Sequence, residues 1–433
     1  MTKELNRTRI AELKENEKTK ISGFVEKLRD TRYMVFVILK DITGKIQVSI
    51  DKEKQSNLVE TALQGIIGSV VSFEGSLQNN PNVKMGGIEF IPTSVKIESI
   101  ADASPIDETS SIDQRINYRW LDLRSERNTL IFQIQSCFVA GLREFLLEKN
   151  FIEIHTPKLI GAASESGADV FEVKYFDTKA YLAQSPQFYK QMAMSAGFER
   201  IFECGPVFRA EKSHTARHST EFTGFDLEFS YIDSYLDVIS MEEDMLIYAL
   251  KKVKEQWGDK VKDIFDTEVV VPTKPFPRKT LAELYEIFEK KYNYTVPESE
   301  KTDLTTEAER LAYQYSMEEF GHEFIFVDGY PPEKRAFYHM RKDGILQGYD
   351  LIWRGVEITS GAQREHRYEK IKKNVESKGL GKDVDFYLEF FKYGCPPHGG
   401  FGIGVDRMTM LLLNIPHIKE VEFLFRGPSR LTP

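Results

Sequence analysis

Cysteine is scarce in this 433-residue chain, and Cys137, Cys204 and Cys395 stand too far apart for a disulfide frame or a zinc cluster. That scarcity fits a reducing compartment, and a cytoplasmic location is the expectation. The opening stretch MTKELNRTRIAELKENEK has no apolar core, so no secretory signal is expected. No uninterrupted apolar run approaches bilayer length, and no membrane partner is expected. An excess of positive charge is also missing. With 58 Lys and Arg against 67 Asp and Glu, the net charge of −9 excludes a polyanion binder held by bulk electrostatics. Selective contact with nucleic acid through a local basic groove stays open. What is present is the 41% apolar and 29% charged content of a globular protein, in a chain long enough for two or three cores.

From Lys18 to about Ile100 the chain alternates apolar and polar residues in ISGFVEKL, MVFVILKD, KIQVSI, SVVSFEGSL and GIEFIPTSVKIES. Turn signals at Asp41-Ile42-Thr43-Gly44 and Asn79-Asn80-Pro81-Asn82 separate them. Five short strands predict a small closed barrel of the OB type. Lys27, Arg29, Arg32, Phe36 and Gln47 lie on or near the first three strands, and an aromatic, a cation and an amide on one face suit a single-stranded RNA reader. On periodicity alone, Phe36 within MVFVILK reads more readily as core than as a stacking platform. The polar stretch from Ala101 to Glu108 marks a domain boundary.

The densest chemistry lies in Ile201 to Glu228, IFECGPVFRAEKSHTARHSTEFTGFDLE. Two strands flank a polar run without apolar periodicity, which predicts a long antiparallel hairpin. Arg209, Lys212, His214, Arg217 and His218 around one hairpin make a cradle for a polyanion, because the arginine fork matches phosphate oxygens and keeps its charge. Glu211 stands two residues from Arg209, so along a strand it would share its face and accept from an amino group. A solvated hairpin tip is the bland alternative.

FRAE, then a loop, then ARH and EFTGFDLE resemble motif 2 of the class II aminoacyl-tRNA synthetases, in the wording of the aspartyl family of archaeal and eukaryotic type. Other stretches extend the resemblance over nearly the whole chain. The helical spacing of Ile131, Ile134, Phe138, Leu142 and Phe145, followed by FIEIHTP, resembles motif 1, which implies a homodimer. GCPPHGGFGIGVDRMTMLLL fails as a dinucleotide fingerprint but is similar to motif 3, with Asp406 where most relatives have Glu. The C-terminal FLFRGPSRLTP ends as the family does, shortened before Arg430.

The fold so implied is α+β: an OB-fold anticodon-binding barrel over 1–100, a hinge over 101–125, and a catalytic domain over 126–433 with an antiparallel sheet flanked by helices. Residues 235–335 read as an accessory insertion of helices and loops, without a cluster that suggests chemistry. The resemblance assigns ATP to Arg209, Glu211, Arg217, His218, Phe222, Glu357 and Arg407, with Arg209 and Arg407 as the catalytic pair. It assigns L-aspartate to Ser164 and Glu165 of a lid loop (SESG where most relatives read SEGG), and to Ser185, Gln187, Lys190, Asp226, Ser360 and Arg364. Magnesium falls to Asp350, Glu357 and Ser360, and the anticodon to Arg29, Phe36 and Gln47. Asp350 and Glu357 are an odd number of residues apart, so they converge only if Arg354-Gly355 bends the chain.

The implied reaction is activation of aspartate by ATP and its transfer to the 3′ end of tRNA(Asp), with tRNA(Asn) left open as a second acceptor. Lys190 favours aspartate over asparagine, since asparaginyl relatives generally carry an acid at that place. An asparaginyl enzyme, an inactive RNA-binding paralogue and an amide-forming ligase are the alternatives weighed. Intact Arg209, Glu357 and Arg407 speak against the inactive paralogue, and the barrel speaks against the ligase.

Overall fold

A computed structural model describes residues 7–162, 170–212, 215–333, 335–380 and 384–433. The chain forms two compact units, Met1–Ser111 and Ile112–Pro433.

In the first unit β1 (Lys18–Asp30), β2 (Met34–Lys40), β3 (Lys45–Asp51), β4 (Val70–Asn79) and β5 (Ile88–Ser99) close a barrel in the order β1-β2-β3-β5-β4, with α1 (Ser56–Gln64) between β3 and β4. Alternation decides the faces: Val35, Val37 and Leu39 of β2 point into the core with Ile46, Val48 and Ile50 of β3. Phe36 therefore points outward. The core reading that periodicity favoured for it does not hold, because in a one-sided strand only every second residue meets the barrel interior.

The second unit begins with α2 (Ile112–Asn117), α3 (Arg119–Asp122) and the long α4 (Glu126–Glu148), then β6 (Ile152–Glu153), β7 (Leu159–Ile160), β8 (Glu172–Tyr175), β9 (Thr178–Leu182) and α5 (Gln187–Ser195). The expected hairpin follows as β10 (Arg200–Phe208) and β11 (Glu221–Ser230), antiparallel from Arg200↔Phe229 to Phe208↔Glu221. Next come α6 (Tyr235–Phe265), β12 (Arg278–Thr280), α7 (Leu281–Tyr292), α8 (Thr306–Phe320) and β13 (Phe324–Asp328). After β14 (Arg341–Lys342) and β15 (Ile345–Leu346), β16 (Gly348–Trp353) and β17 (Val356–Gln363) form a second hairpin. The chain closes with α9 (Tyr368–Ser377), α10 (Asp385–Lys392), β18 (His398–Gly404) and α11 (Val405–Leu412).

Eight strands make one sheet in the order β12-β13-β16-β17-β18-β11-β10-β6, antiparallel except at the β12–β13 and β10–β6 pairs. The stretch 235–335 is thus more than helices and loops, because β12 and β13 extend this sheet and α6 packs on α4. The strands are short and their apolar residues continuous, so they lack the alternation that marks a half-exposed strand.

Helix α4 is capped by Ser125, whose side chain accepts from the Asn128 backbone N–H at 3.2 Å. By length and composition it could cross a bilayer, which a search for uninterrupted apolar runs overlooks. In the fold its Leu130, Ile134, Phe138 and Leu142 are buried with Leu246, Ala249 and Val253 of α6, each large side chain contributing roughly 1.5–3 kcal/mol. This is a core helix. The FIEIHTP stretch contributes only β6, two residues at the edge of the sheet.

Candidate active site

The central strands β11, β17 and β18 wall a cavity of about 340 Å³. Ser185, Gln187, Lys190, Arg209, Glu211, Arg217, His218, Phe222, Asp226, Glu357, Ser360, Arg364 and Arg407 all line it. Asp350 does not. Ser164 and Glu165 lie outside the described residues, as does His214.

Its floor is an ion network. Asp226 and Glu228 are two apart on β11 and share a face, opposite Gly402 and Gly400 of β18. A Cβ at Gly400 would lie 2.5 Å from Glu228 Oε2, and one at Gly402 would lie 2.7 Å from Asp226 Oδ1. The glycine-rich stretch therefore leaves room for two carboxylates. Lys190, in the first turn of α5, donates to Asp226 Oδ1 at 2.9 Å and lies 3.5 Å from Glu228 Oε2. Arg364, 136 positions further along the chain, grips Glu228 through Nε at 3.0 Å and Nη2 at 3.4 Å, and also donates to the Gly400 carbonyl. Glu228 is fully buried. Burial alone would raise its pKa, but Arg364 and Lys190 outweigh that and hold the carboxyl below its ordinary range.

Behind this floor the Gln187 amide donates to Gln191 Oε1 at 2.9 Å, which also accepts from the Tyr387 hydroxyl. His398 Nδ1 lies 2.8 Å from the Pro396 carbonyl and Nε2 3.0 Å from the Gln191 amide nitrogen, so the proton sits on Nδ1. Burial pushes this histidine down to about 4, so it is neutral.

The rim is cationic. Arg209 N–H bonds the Thr220 carbonyl, and its guanidinium lies 5.5 Å over the Phe222 ring and 3.8 Å from Glu211. Arg209 Nε is buried with no hydrogen-bond partner. Arg217 donates to Glu309 Oε2 and Thr306 Oγ1, both at 2.8 Å, on α8. Arg407 Nη1 donates to the Glu357 carbonyl at 2.7 Å. His218 is lowered below the usual imidazole range, first by burial and then by Arg407, so it adds no full charge to the cradle at neutral pH. Asp406 accepts from the Thr223 N–H at 2.9 Å and the Gln135 amide at 3.1 Å, which ties motif 3 to β11 and α4.

The parity problem at Asp350 and Glu357 is solved by the turn between them. Arg354 and Gly355 both adopt positive φ (48° and 77°), so they form a two-residue hairpin turn that reverses the chain completely. The register then shifts: Asp350 pairs with Ser360, but Ile352 pairs with Glu357. The extra residue on β17 brings Glu357 and Ser360 to the same face despite their odd spacing. Burial, and then Asp350, raise the pKa of Glu357.

Among the described residues no group of three or more His, Cys, Asp or Glu is placed to hold a metal ion. A half-buried acid of raised pKa facing the cavity beside a serine offers hard oxygen donors of the kind a magnesium ion takes.

On the barrel, Arg29, Phe36 and Gln47 lie on the outward face of β1, β2 and β3. Arg29 pairs with Phe36 across β1 and β2, its guanidinium 4.7 Å over the ring. The Gln47 amide donates to Ser49 Oγ at 3.1 Å, Ser49 donates to Glu89, and Asn80 donates to Glu89 at 2.7 Å.

Sequence reasoning missed Glu228, Glu309 and Arg335. The spacing of Asp226 and Glu228 on one strand was a usable signal for the first. Glu309 and Arg335 gave none, since each meets its partner only through tertiary packing.

Residues 111–426 match the family described as tRNA synthetases class II (D, K and N), and residues 19–99 match the OB-fold nucleic acid binding domain. The aspartate–tRNA(Asp/Asn) ligase of Aeropyrum pernix is 39% identical, with 96% of each chain covered. The aspartate–tRNA(Asp) ligase of Pyrococcus abyssi is 38% identical, with 98% of each covered. Among solved structures, the asparaginyl-tRNA synthetase from Pyrococcus horikoshii complexed with asparaginyl-adenylate superposes with a TM-score of 0.88 at 29% identity, over 99% of this chain and 100% of that one. The aspartyl-tRNA synthetase from Entamoeba histolytica gives 0.86 at 31%, over 100% and 94%.

Proposed function

The chain belongs to the class II tRNA synthetases of the D, K and N group, and on that premise we propose that its cavity is the site where L-aspartate and ATP react. It is an aspartate–tRNA ligase that activates aspartate to the adenylate and transfers it to the 3′ end of tRNA(Asp).

The observation that carries the amino-acid assignment is the placement of Lys190 and Arg364 on one wall, both anchored by the buried Glu228. Two fixed cations complement a side-chain carboxylate. A neutral amide would set its NH₂ donors against donors, and sites built in this way reject the mismatched analogue by on the order of 10⁴-fold or more. Ser185, Gln187, Asp226 and Ser360 complete the amino-acid end.

No nucleophile or acid–base pair is needed, because the α-carboxylate of aspartate itself attacks the α-phosphorus of ATP. The site supplies alignment and charge. Arg209 forks onto the α-phosphate, with its unpartnered Nε available as a further donor. Arg217 and Arg407 hold the departing phosphates, with His218 beside them as a neutral donor. Arg217 leaves Glu309 for phosphate in the process. Phe222 stacks on adenine and Glu211 accepts from its amino group. Glu357 and Ser360 would hold a magnesium ion from the cavity side, where it would supply charge neutralisation at the phosphates.

On the barrel, Phe36, backed by Arg29, stacks on an anticodon base while Gln47 reads a base edge. tRNA(Asn) as a second acceptor is supported by the name of the Aeropyrum pernix relative and tested by charging both transcripts. A homodimer through α4 and β6 is supported by the edge position of β6 and the exposure of Ile152. Light scattering should then give twice the chain mass of 50.0 kDa, and a monomer at micromolar concentration would refute it.

ATP–pyrophosphate exchange tests the central reading. Exchange with aspartate and none with asparagine, abolished when magnesium is omitted, is the expected result. Exchange with asparagine would remove the role given to Lys190.

A further inference from the structure

Asp350 is the one acid of the expected metal set that does not reach the cavity. It is 1% exposed, and both of its oxygens are engaged. Oδ1 accepts from Arg335 Nη1 at 3.0 Å and from Ser360 Oγ at 2.7 Å, while Oδ2 accepts from Arg335 Nη2 at 2.6 Å. Arg335 itself lines the cavity. Its guanidinium lies 3.8 Å over the Tyr330 ring, donates to Asp303 at 3.1 Å and approaches Ser360 Oγ at 3.3 Å. The pair is a planar fork on a carboxylate, the strongest and most directional form of the interaction.

We propose that Arg335 supplies the positive charge that a metal ion would otherwise bring to Asp350: it neutralises this acid, so Asp350 serves as its anchor and Glu357 is the metal carboxylate. The inference rests on the magnesium reading above. A divalent cation at Asp350 would have to displace a bidentate guanidinium and leave it beside the ion with the exposed Asp303 in place of the buried Asp350 as its counter-charge, which is costly. Glu357, by contrast, faces the cavity, and Arg407 bonds its backbone carbonyl, not its carboxylate. Arg335 is thus a positioning residue. It holds Asp350 and Ser360 in one geometry and keeps a fixed positive group on the cavity wall before any nucleotide arrives.

The test reads metal binding directly. Free Mn²⁺ is followed by electron paramagnetic resonance during titration of the full chain with β,γ-methylene ATP present. Glu357→Gln should weaken Mn²⁺ binding by about 10-fold or more, whereas Asp350→Asn should stay within about twofold of the parent. Arg335→Gln frees two carboxylate oxygens and should increase Mn²⁺ uptake, and adding Asp350→Asn to it should remove the gain. Asp350→Asn as damaging as Glu357→Gln would overturn the proposal while leaving the magnesium reading intact. Unchanged binding in Glu357→Gln would bring down both. If Asp350→Asn alone does not fold, the neutral double variant decides: equal uptake in it and in Arg335→Gln overturns the proposal.

Discussion

Replacing Arg364 by alanine is expected to cost about 3–5 kcal/mol of stability and to lower aspartate-dependent pyrophosphate exchange by at least about tenfold. Arg364 is 2% exposed and Glu228 0%, and the two meet through a fork of 3.0 and 3.4 Å. Without the guanidinium, the cation left to Glu228 among the described residues is Lys190, 3.5 Å away and already donating to Asp226. Lys190 must then serve both carboxylates, and the substrate meets one cation in place of two. The Glu228 pKa is depressed in the folded chain, so its contribution is present above the unfolded glutamate range and lost as pH falls through the folded value. The cost of Arg364→Ala should therefore be largest near pH 7 and shrink in acid. Arg364→Lys keeps the charge but loses the fork, and should fall between parent and alanine. Urea midpoints at several pH values check the stability, and exchange under conditions where the variant remains folded checks the site. An unchanged midpoint with unchanged exchange would show that the network is dispensable.

Glu242→Gln should do the opposite and stabilise the chain at neutral and alkaline pH. Glu242 lies on α6, is fully buried, accepts from the Tyr349 hydroxyl at 2.6 Å and has one oxygen without a partner. Burial, with Glu243 and Asp350 as neighbouring acids, pushes its pKa from 4.5 to about 8. The sign follows from proton counting. Between pH 4.5 and 8 the folded chain holds a proton that the unfolded chain has released, so parental stability falls as pH rises through this window. An amide keeps an acceptor for Tyr349 and does not titrate. The variant's advantage should therefore grow with pH, by up to about 1.4 kcal/mol per unit and by about 2 kcal/mol or more between pH 5 and 8. Denaturation midpoints across that range make the comparison. Parallel curves for parent and variant would mean that Glu242 is ionised in the fold.

The motifs were legible because the chemistry they serve is tied to short spacings. FRAE and ARH predicted a hairpin with Arg209, Glu211, Arg217 and His218 at its tip, and that hairpin forms with those residues on one cavity. Phe36 shows the limit of this logic. Its sequence neighbours are as apolar as it is, and only the closure of the barrel says which half of β2 faces inward. His218 shows another limit: its identity was plain, but the burial and nearby arginines that leave it neutral arise from the fold. Glu309 was invisible in a stretch that read only as helices and loops, although it holds Arg217 at the rim.

The sequence by itself determined the local matters: five barrel strands, the hairpin, the glycines of motif 3 and the set of charged residues from which a site could be built. Backbone periodicity and turn chemistry act over a few residues, so they are written in contiguous text. The tertiary structure alone decided which charge meets which. Arg364 meets Glu228, Arg217 meets Glu309 and Asp350 meets Arg335 instead of the cavity. These pairings join distant positions through strand register and burial. The energy of an ion pair depends on distance and desolvation, and neither exists until the sheet has closed around it.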